Sequence, residues 1–234
     1  MLKLNSKRIT QTLVASASIL SFGISFSTPN LSALAQISAN PNDPRWYANS
    51  ECGNYQGLAA AKVSQSVVNT LIDPADASVG GFVAHPLWLG TGTGAWVEVG
   101  YDKEPARSED TAYYWASYTP TSATYIVKGY VAIGSYKELE IAWNRSTKYW
   151  NFYFGGVKIG EAANIGGPSY SGTEAGLEST SDRNYSPRAP VYGLQYATLS
   201  NFTWQGCSNP SLYNDPPASI YWVNRPFSAE TKMP

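Results

Sequence analysis

Five glutamates stand in stretches that read as β-strand: Glu98 in WVEVGY, Glu138 and Glu140 in KELEIAW, and Glu174 and Glu178 in SGTEAGLESTS. Two carboxyl groups that face one another cannot both ionise cheaply, so one of them keeps its proton well above the ordinary carboxyl range. Such a pair gives a general acid and a general base from identical side chains, and so the means to activate water. Along WVEVGY the period of two puts Trp96, Glu98 and Gly100 on one face and Val97, Val99 and Tyr101 on the other. If the valines face the core, Glu98 faces solvent or a groove. Small residues around Glu174 and Glu178 leave room for a substrate backbone or make an ordinary polar loop.

Other chemistries find little support. The single histidine, His85, precedes Pro86 and would have to serve any Ser-His or Cys-His pair, and no GxSxG occurs. GTGTGAW lacks the lysine of a phosphate-binding loop and leads into a strand, so it reads as a turn. Cys52 and Cys207 have no CxxC partners and are remote from His85, which argues against a metal site. They are expected to form a disulfide enclosing almost the whole domain. No cofactor is expected.

The start of the chain, MLKLNSKR followed by an apolar, Ser-punctuated run and Ala33-Leu34-Ala35, has the order of an export signal peptide. Cleavage after residue 35 would leave 199 of 234 residues, lose Lys3, Lys7 and Arg8, and take the formal charge from −1 to −4. A mildly acidic product is not expected to bind nucleic acid. No later stretch reads as transmembrane, so a secreted, cell-surface or periplasmic protein is expected. The triplets at Asn144, Asn184 and Asn201 match the glycosylation pattern.

Three regions are expected: residues 1–35 as signal, 36–78 as a leader with one short helix, and 79–234 as a β-sandwich with a Pro-rich tail. The helix is expected within GLAAAKVSQSVVNTLIDP, where Ala60, Val63, Val67 and Leu71 recur at three- and four-residue spacing before Asp73-Pro74. From Gly80 the texture changes to short aromatic and β-branched runs separated by turn residues, the pattern of an antiparallel all-β domain. In TKYWNFYFGGVKIGEA, Gly155-Gly156 predicts a hairpin. With only 14% charged residues, 8 Trp and 17 Tyr, the rings fill a sandwich and line a groove.

Three pieces in this order, GAWVEVGYD, YWNFYFGGVKIG and AGLESTS, resemble the neprosin-like prolyl peptidases of the wider glutamic peptidase group. The resemblance covers roughly residues 80 to 205 and implies a jelly-roll β-sandwich, with Glu98 and Glu178 as the catalytic pair. In that family the second glutamate usually follows glycine directly, whereas Leu177 intervenes here, so Glu174 is an alternative acid. What it implies is an acid-favoured endopeptidase acting on unfolded or proline-containing polypeptides, with Trp115, Trp150 and Tyr153 as substrate-stacking rings. The main rival is a non-catalytic β-sandwich that binds a glycan or a protein, since aromatic platforms suit sugar rings. A glycoside hydrolase is a weaker one, because KELEIAW resembles the acidic strand of laminarinase-like enzymes but has only Glu138 and Glu140 and no third carboxylate at the needed spacing.

Overall fold

A computed structural model describes residues 45–91, 94–105, 110–224 and 228–234. The expected signal segment, residues 1–35, lies outside them. The described chain is antiparallel β-structure in two layers. The first runs β5 (Ser122–Tyr130), β4 (Ala112–Thr119), β3 (Trp96–Lys103), β2 (Val83–Gly90), β9 (Ser169–Ser179), the first half of β1 (Trp46–Ser66) and β12 (Ser211–Asn214). The second runs β8 (Val157–Ala162), β7 (Tyr149–Phe154), β6 (Tyr136–Asn144), the second half of β1, β10 (Ser186–Thr198), β14 (Ser228–Met233) and β13 (Ser219–Asn224), with β11 (Gln205–Gly206) beside β10. The all-β sandwich expected from the sequence is therefore present.

β1 belongs to both layers. Up to Leu58 it pairs with β9, and from Ala60 to Ser66 with β6, while β10 takes its other edge. Register shifts around Tyr55 and Leu58, together with Gly57 at φ 66°, turn the strand from one layer into the other.

The helix expected before Asp73-Pro74 is replaced by the second half of this strand. Ala59, Ala60 and Ala61 are all fully buried, so the run is apolar on both faces and its three- and four-residue spacing does not discriminate between helix and strand. Alanine's helix preference is a weak prior, and two flanking strands override it. The helix that does form is a single turn, α1 (Pro74–Ala77), capped by the Asp73 carboxylate on the Ala75 N–H at 2.9 Å. Among the described residues no helix is long and apolar enough to cross a membrane.

The layers meet on the Val97, Val99 and Tyr101 face of β3, against Leu139 and Ile141 of β6 and Phe152 and Phe154 of β7. Stacked rings cross the gap, with Trp115 on Phe152 at 4.9 Å and Tyr113 on Phe154 at 4.7 Å. The expected hairpin is present, with Gly155 and Gly156 turning at φ 59° and 79°. The Pro-rich tail supplies β13 and β14, which complete the second layer. Asn184 is sealed from solvent, its Nδ2 donating to Asp76 Oδ2 at 2.7 Å and Ser179 Oγ at 3.0 Å, so its triplet offers no glycosylation site in the folded chain.

Cys52 on β1 and Cys207 are joined, as expected, across 155 residues. Cross-linking a loop of that length removes denatured-state entropy, and loss of such a bridge typically costs about 2–5 kcal/mol. Reduction, or the Cys52→Ala and Cys207→Ala double variant, should lower the calorimetric midpoint by roughly 5–15 °C. An unchanged midpoint would mean the bridge constrains nothing the fold does not already hold.

Candidate active site

Register decides which carboxylates can meet. Glu98 stands opposite Trp88 on β2, and Glu178 stands opposite Ala84 on the same strand. Cross-strand partners share a face, and Ala84 and Trp88 are an even number of residues apart, so Glu98 and Glu178 lie on one face of the first layer with β2 between them. That face is turned away from the core, because the alternate residues Val97, Val99 and Tyr101 fill the core. Glu98 is nevertheless only 4% exposed and Glu178 5%. Neighbouring polar and aromatic side chains cover them.

Glu98 is held from two sides. The Tyr114 hydroxyl from β4 donates to its Oε1, and the Trp88 indole N–H donates to the same carboxyl group. Gly100 makes space for the phenol, since a Cβ there would lie 3.2 Å from the Tyr114 hydroxyl and 2.8 Å from the β2 backbone. Burial, and then the charge of Glu178, push the Glu98 carboxyl well above its usual range; the Tyr114 and Trp88 hydrogen bonds and Arg45 pull the other way without restoring it. Glu98 is therefore a neutral acid at neutral pH. Glu178 faces the opposite circumstances, with Arg45 Nη1 at 2.8 Å and the Tyr47 hydroxyl at 3.2 Å, both on its Oε1. A buried carboxyl next to a guanidinium favours the ionised form.

Glu174 shares the same face, opposite Trp88 from the other side and opposite Glu51 on β1. Burial and the Glu51 charge push its carboxyl up to about 8, against an Asn49 amide hydrogen bond at 3.2 Å. Register brings Glu174 closer along β2 to Glu98 than Glu178, whose partner Ala84 is four residues from Trp88. Yet the carboxylate charge that acts on Glu98 is that of Glu178, and Glu98 is not among the charges acting on Glu174. Asp102, four residues beyond Glu98 and buried, also faces this side and accepts from the Tyr125 hydroxyl at 2.5 Å.

The three rings expected to stack substrate sit elsewhere. Trp115 packs on Phe152 and Trp150 is wholly buried, both in the core between the layers. Tyr153 lies on the second layer, paired with Glu140 and Lys158. Alternation identifies two faces of a strand but not which is inside, and here the bulkier rings took the core. Rings that do share the Glu98 side are Trp88, Tyr47, and the stacked pair Trp96–Tyr118, whose centroids are 4.6 Å apart. Glu138 and Glu140 stand on the second layer, where Glu138 is 3.7 Å from Lys62. His85 is buried with Nε2 3.1 Å from Ser186 Oγ and its ring stacked on Tyr101, a packing role. An open cavity of about 310 Å³ lined by Tyr113, Tyr130, Lys137, Phe154 and Val157 lies between the layer edges and contains no carboxylate.

Sequence reasoning did not anticipate Arg45, Tyr47, Trp88 or Tyr114 in this site. They come from the start of β1, from β2 and from β4, and their convergence depends on register. The only local signal was WVEVGY itself, whose Gly100 is required by the close approach of β2 and β4.

No family model matches the sequence, and no curated protein matches it either. Solved structures do share its fold. A scytalido-glutamic peptidase with a transition-state-analogue inhibitor superposes with a TM-score of 0.59 at 9% identity, covering 81% of this chain and 98% of that one. A second structure of that enzyme, with a peptide-based transition-state analogue, gives 0.60 at 8% identity and the same coverage. SCP-B, a member of the eqolisin family of peptidases bound to the tripeptide Ala-Ile-His, gives 0.55 at 7% identity, again over 81% and 98%. At these identities the likeness establishes a glutamic-peptidase-like fold and nothing finer.

Proposed function

We propose that this chain is an exported, acid-favoured glutamic endopeptidase that cleaves unfolded polypeptides. The observation that carries the reading is the buried pair across β2. Burial and the Glu178 charge keep Glu98 protonated, while Arg45 and Tyr47 hold Glu178 from the other side. Resemblance to the neprosin-like enzymes, the signal-like start and the shared eqolisin fold are consistent with it.

In this mechanism Glu178 takes a proton from water as the water oxygen attacks the peptide carbonyl carbon. The Glu98 carboxyl hydrogen-bonds to the carbonyl oxygen and transfers its proton as negative charge develops there. Collapse of the tetrahedral intermediate returns that proton to Glu98 and breaks the C–N bond. The proton on Glu178 goes to the leaving nitrogen. Neither carboxyl forms a bond to carbon. The Trp96–Tyr118 stack on the same face offers a flat apolar surface to a proline ring, which is the proposed source of any preference near proline.

The test is cleavage of a proline-rich unfolded protein by the purified chain from pH 3 to 9, with products read by mass spectrometry. Cleavage that is sustained on the acid side and falls, above neutrality, as Glu98 ionises supports the reading. A chain inert throughout, or one whose activity rises steadily above neutrality, sinks it and returns attention to glycan or protein binding.

A further inference from the structure

Arg45 belongs to neither carboxylate strand, yet its guanidinium reaches the pair. It immediately precedes β1, places Nη1 2.8 Å from Glu178 Oε1, and lies with its guanidinium carbon 5.8 Å from the centre of the Phe82 ring. Its side chain is 37% exposed, against 6% for Glu178. The Tyr47 hydroxyl, two residues on, converges on the same carboxylate oxygen.

Resting on the glutamic peptidase reading, we propose that Arg45 is the positioning residue that decides which of the two glutamates is the base. Two buried carboxyls coupled to one another share their protons symmetrically unless something breaks the tie. Among the described residues, the groups facing Glu178 include Arg45 and Tyr47 from β1 and its start, Glu98 from β3, and Tyr118 from β4; β2 presents Ala84 to it. Arg45 is the one cation among these four side chains. Tyr114 and Trp88 bind Glu98 as neutral donors, whereas Arg45 meets Glu178 with a full charge. The tie is broken in favour of ionised Glu178 and neutral Glu98. The guanidinium also fixes the carboxylate's orientation, because a second donor on the same oxygen leaves little freedom to rotate.

The test compares wild type with Arg45→Ala and Arg45→Lys. The first readout is independent of catalysis: the ¹³C carboxyl titration of Glu178 by NMR, assigned with Glu178→Gln. Opposite charge at this distance typically moves a carboxyl by about 1–3 pH units, so the Glu178 midpoint should rise by about one unit or more in Arg45→Ala and return most of the way in Arg45→Lys. The second readout is kcat against pH, whose acidic limb should move up by the same amount, with kcat below the shifted limb reduced about tenfold. A Glu178 midpoint that does not move overturns the proposal even if the chain is an active peptidase. So does a kcat that rises in Arg45→Ala, since Arg45 would then be an obstruction. Arg45→Lys, which keeps the charge, separates this role from mere loss of folding. If the midpoint moves but no variant, wild type included, cleaves peptide, the peptidase reading fails while the charge assignment of the pair stands.

Discussion

Glu178→Gln is expected to reduce kcat by about 10³-fold or more, whereas Glu98→Gln is expected to lose only about 10–100-fold and to change the shape of the pH profile. The asymmetry follows from the two environments. In the proposed mechanism Glu178 accepts a proton from water, which an amide cannot do. Glu98 enters the reaction neutral, its carboxyl accepting hydrogen bonds from Tyr114 and Trp88. Glutamine is nearly isosteric with that neutral acid. Its carbonyl accepts the same two donors and its NH₂ can still point at the substrate oxygen, so stabilisation of the developing oxyanion survives while proton transfer does not. Because the amide does not ionise, the alkaline limb assigned to Glu98 should vanish, leaving a plateau above the acidic limb. Glu98→Ala should be worse than Glu98→Gln on both counts, since it removes the oxyanion donor and strands two buried donors at about 1–3 kcal/mol each. Equal losses in both glutamine variants, with the alkaline limb intact, would show that the roles are not divided in this way. Full activity in Glu178→Gln would remove the pair from the chemistry altogether.

The folded chain is also expected to be most stable near pH 4.5. Burial raises the carboxyls of Glu98 and Glu174 in the folded state, Glu174 to about 8, above the 4.5 of an unperturbed glutamate. Between those values the folded protein holds protons the unfolded chain has released, so their contribution is complete below pH 4.5 and is lost as pH rises towards 8. His85 works in the opposite sense. Burial lowers it to about 3 from 6.5, so the unfolded chain takes up a proton that the folded one refuses, and stability falls as pH drops from 6.5 towards 3. From pH 8 down to 6.5 these two carboxyls lead, each worth about 1.4 kcal/mol per pH unit where its protonation differs fully between states. Glu51 and Glu140, also raised by burial, act in the same sense. From 6.5 to 4.5 His85 offsets one of them. Below 4.5 the charging of His85 and protonation of Glu178 beside Arg45 both cost stability, and the curve turns over. Calorimetric midpoints from pH 3 to 8.5 should trace this dome, at about 2–4 °C per kcal/mol for a chain of this size. In Glu98→Gln the fall above pH 6.5 should be about half as steep. A midpoint that climbs steadily to pH 8 contradicts the assignment of neutral buried carboxyls.

Much of the fold was legible because its signals are local. The Gly155-Gly156 hairpin, the aromatic strands around it and the two faces of WVEVGY all follow from alternation and turn chemistry over a few residues. The Glu98–Glu178 pair was legible through resemblance, but no local property selected Glu178 over Glu174, since both lie on one face of β9 four residues apart. Register alone puts Glu174 across Trp88 from Glu98 and Glu178 four residues further along β2. What singles out Glu178 is its charge acting on Glu98 and the arrival of Arg45 from the chain start, and neither is written in the strand. The substrate rings were misplaced for the same reason. Trp115, Trp150 and Tyr153 have the right chemistry, but which face of each strand meets the other layer depends on the pairing of all of them. β1 was misread because three consecutive alanines carry no periodicity, and their strand state comes from neighbours far along the chain.

That dependence of β1 on distant partners governs when the Glu98–Glu178 face can assemble. β1 is the first strand of the described residues to leave the ribosome, yet its partners β6, β9, β10 and β12 are all synthesised much later. A topology dominated by such remote pairings has high contact order and folds slowly. Until β9 has emerged and slotted between β1 and β2, Glu178 is not beside Arg45 and Glu98 is not beside Glu178. If the proposed export takes the chain across a membrane before β9 has paired, its two carboxyls arrive there still apart, and the pair on which the proposed peptidase reading rests assembles only after the crossing.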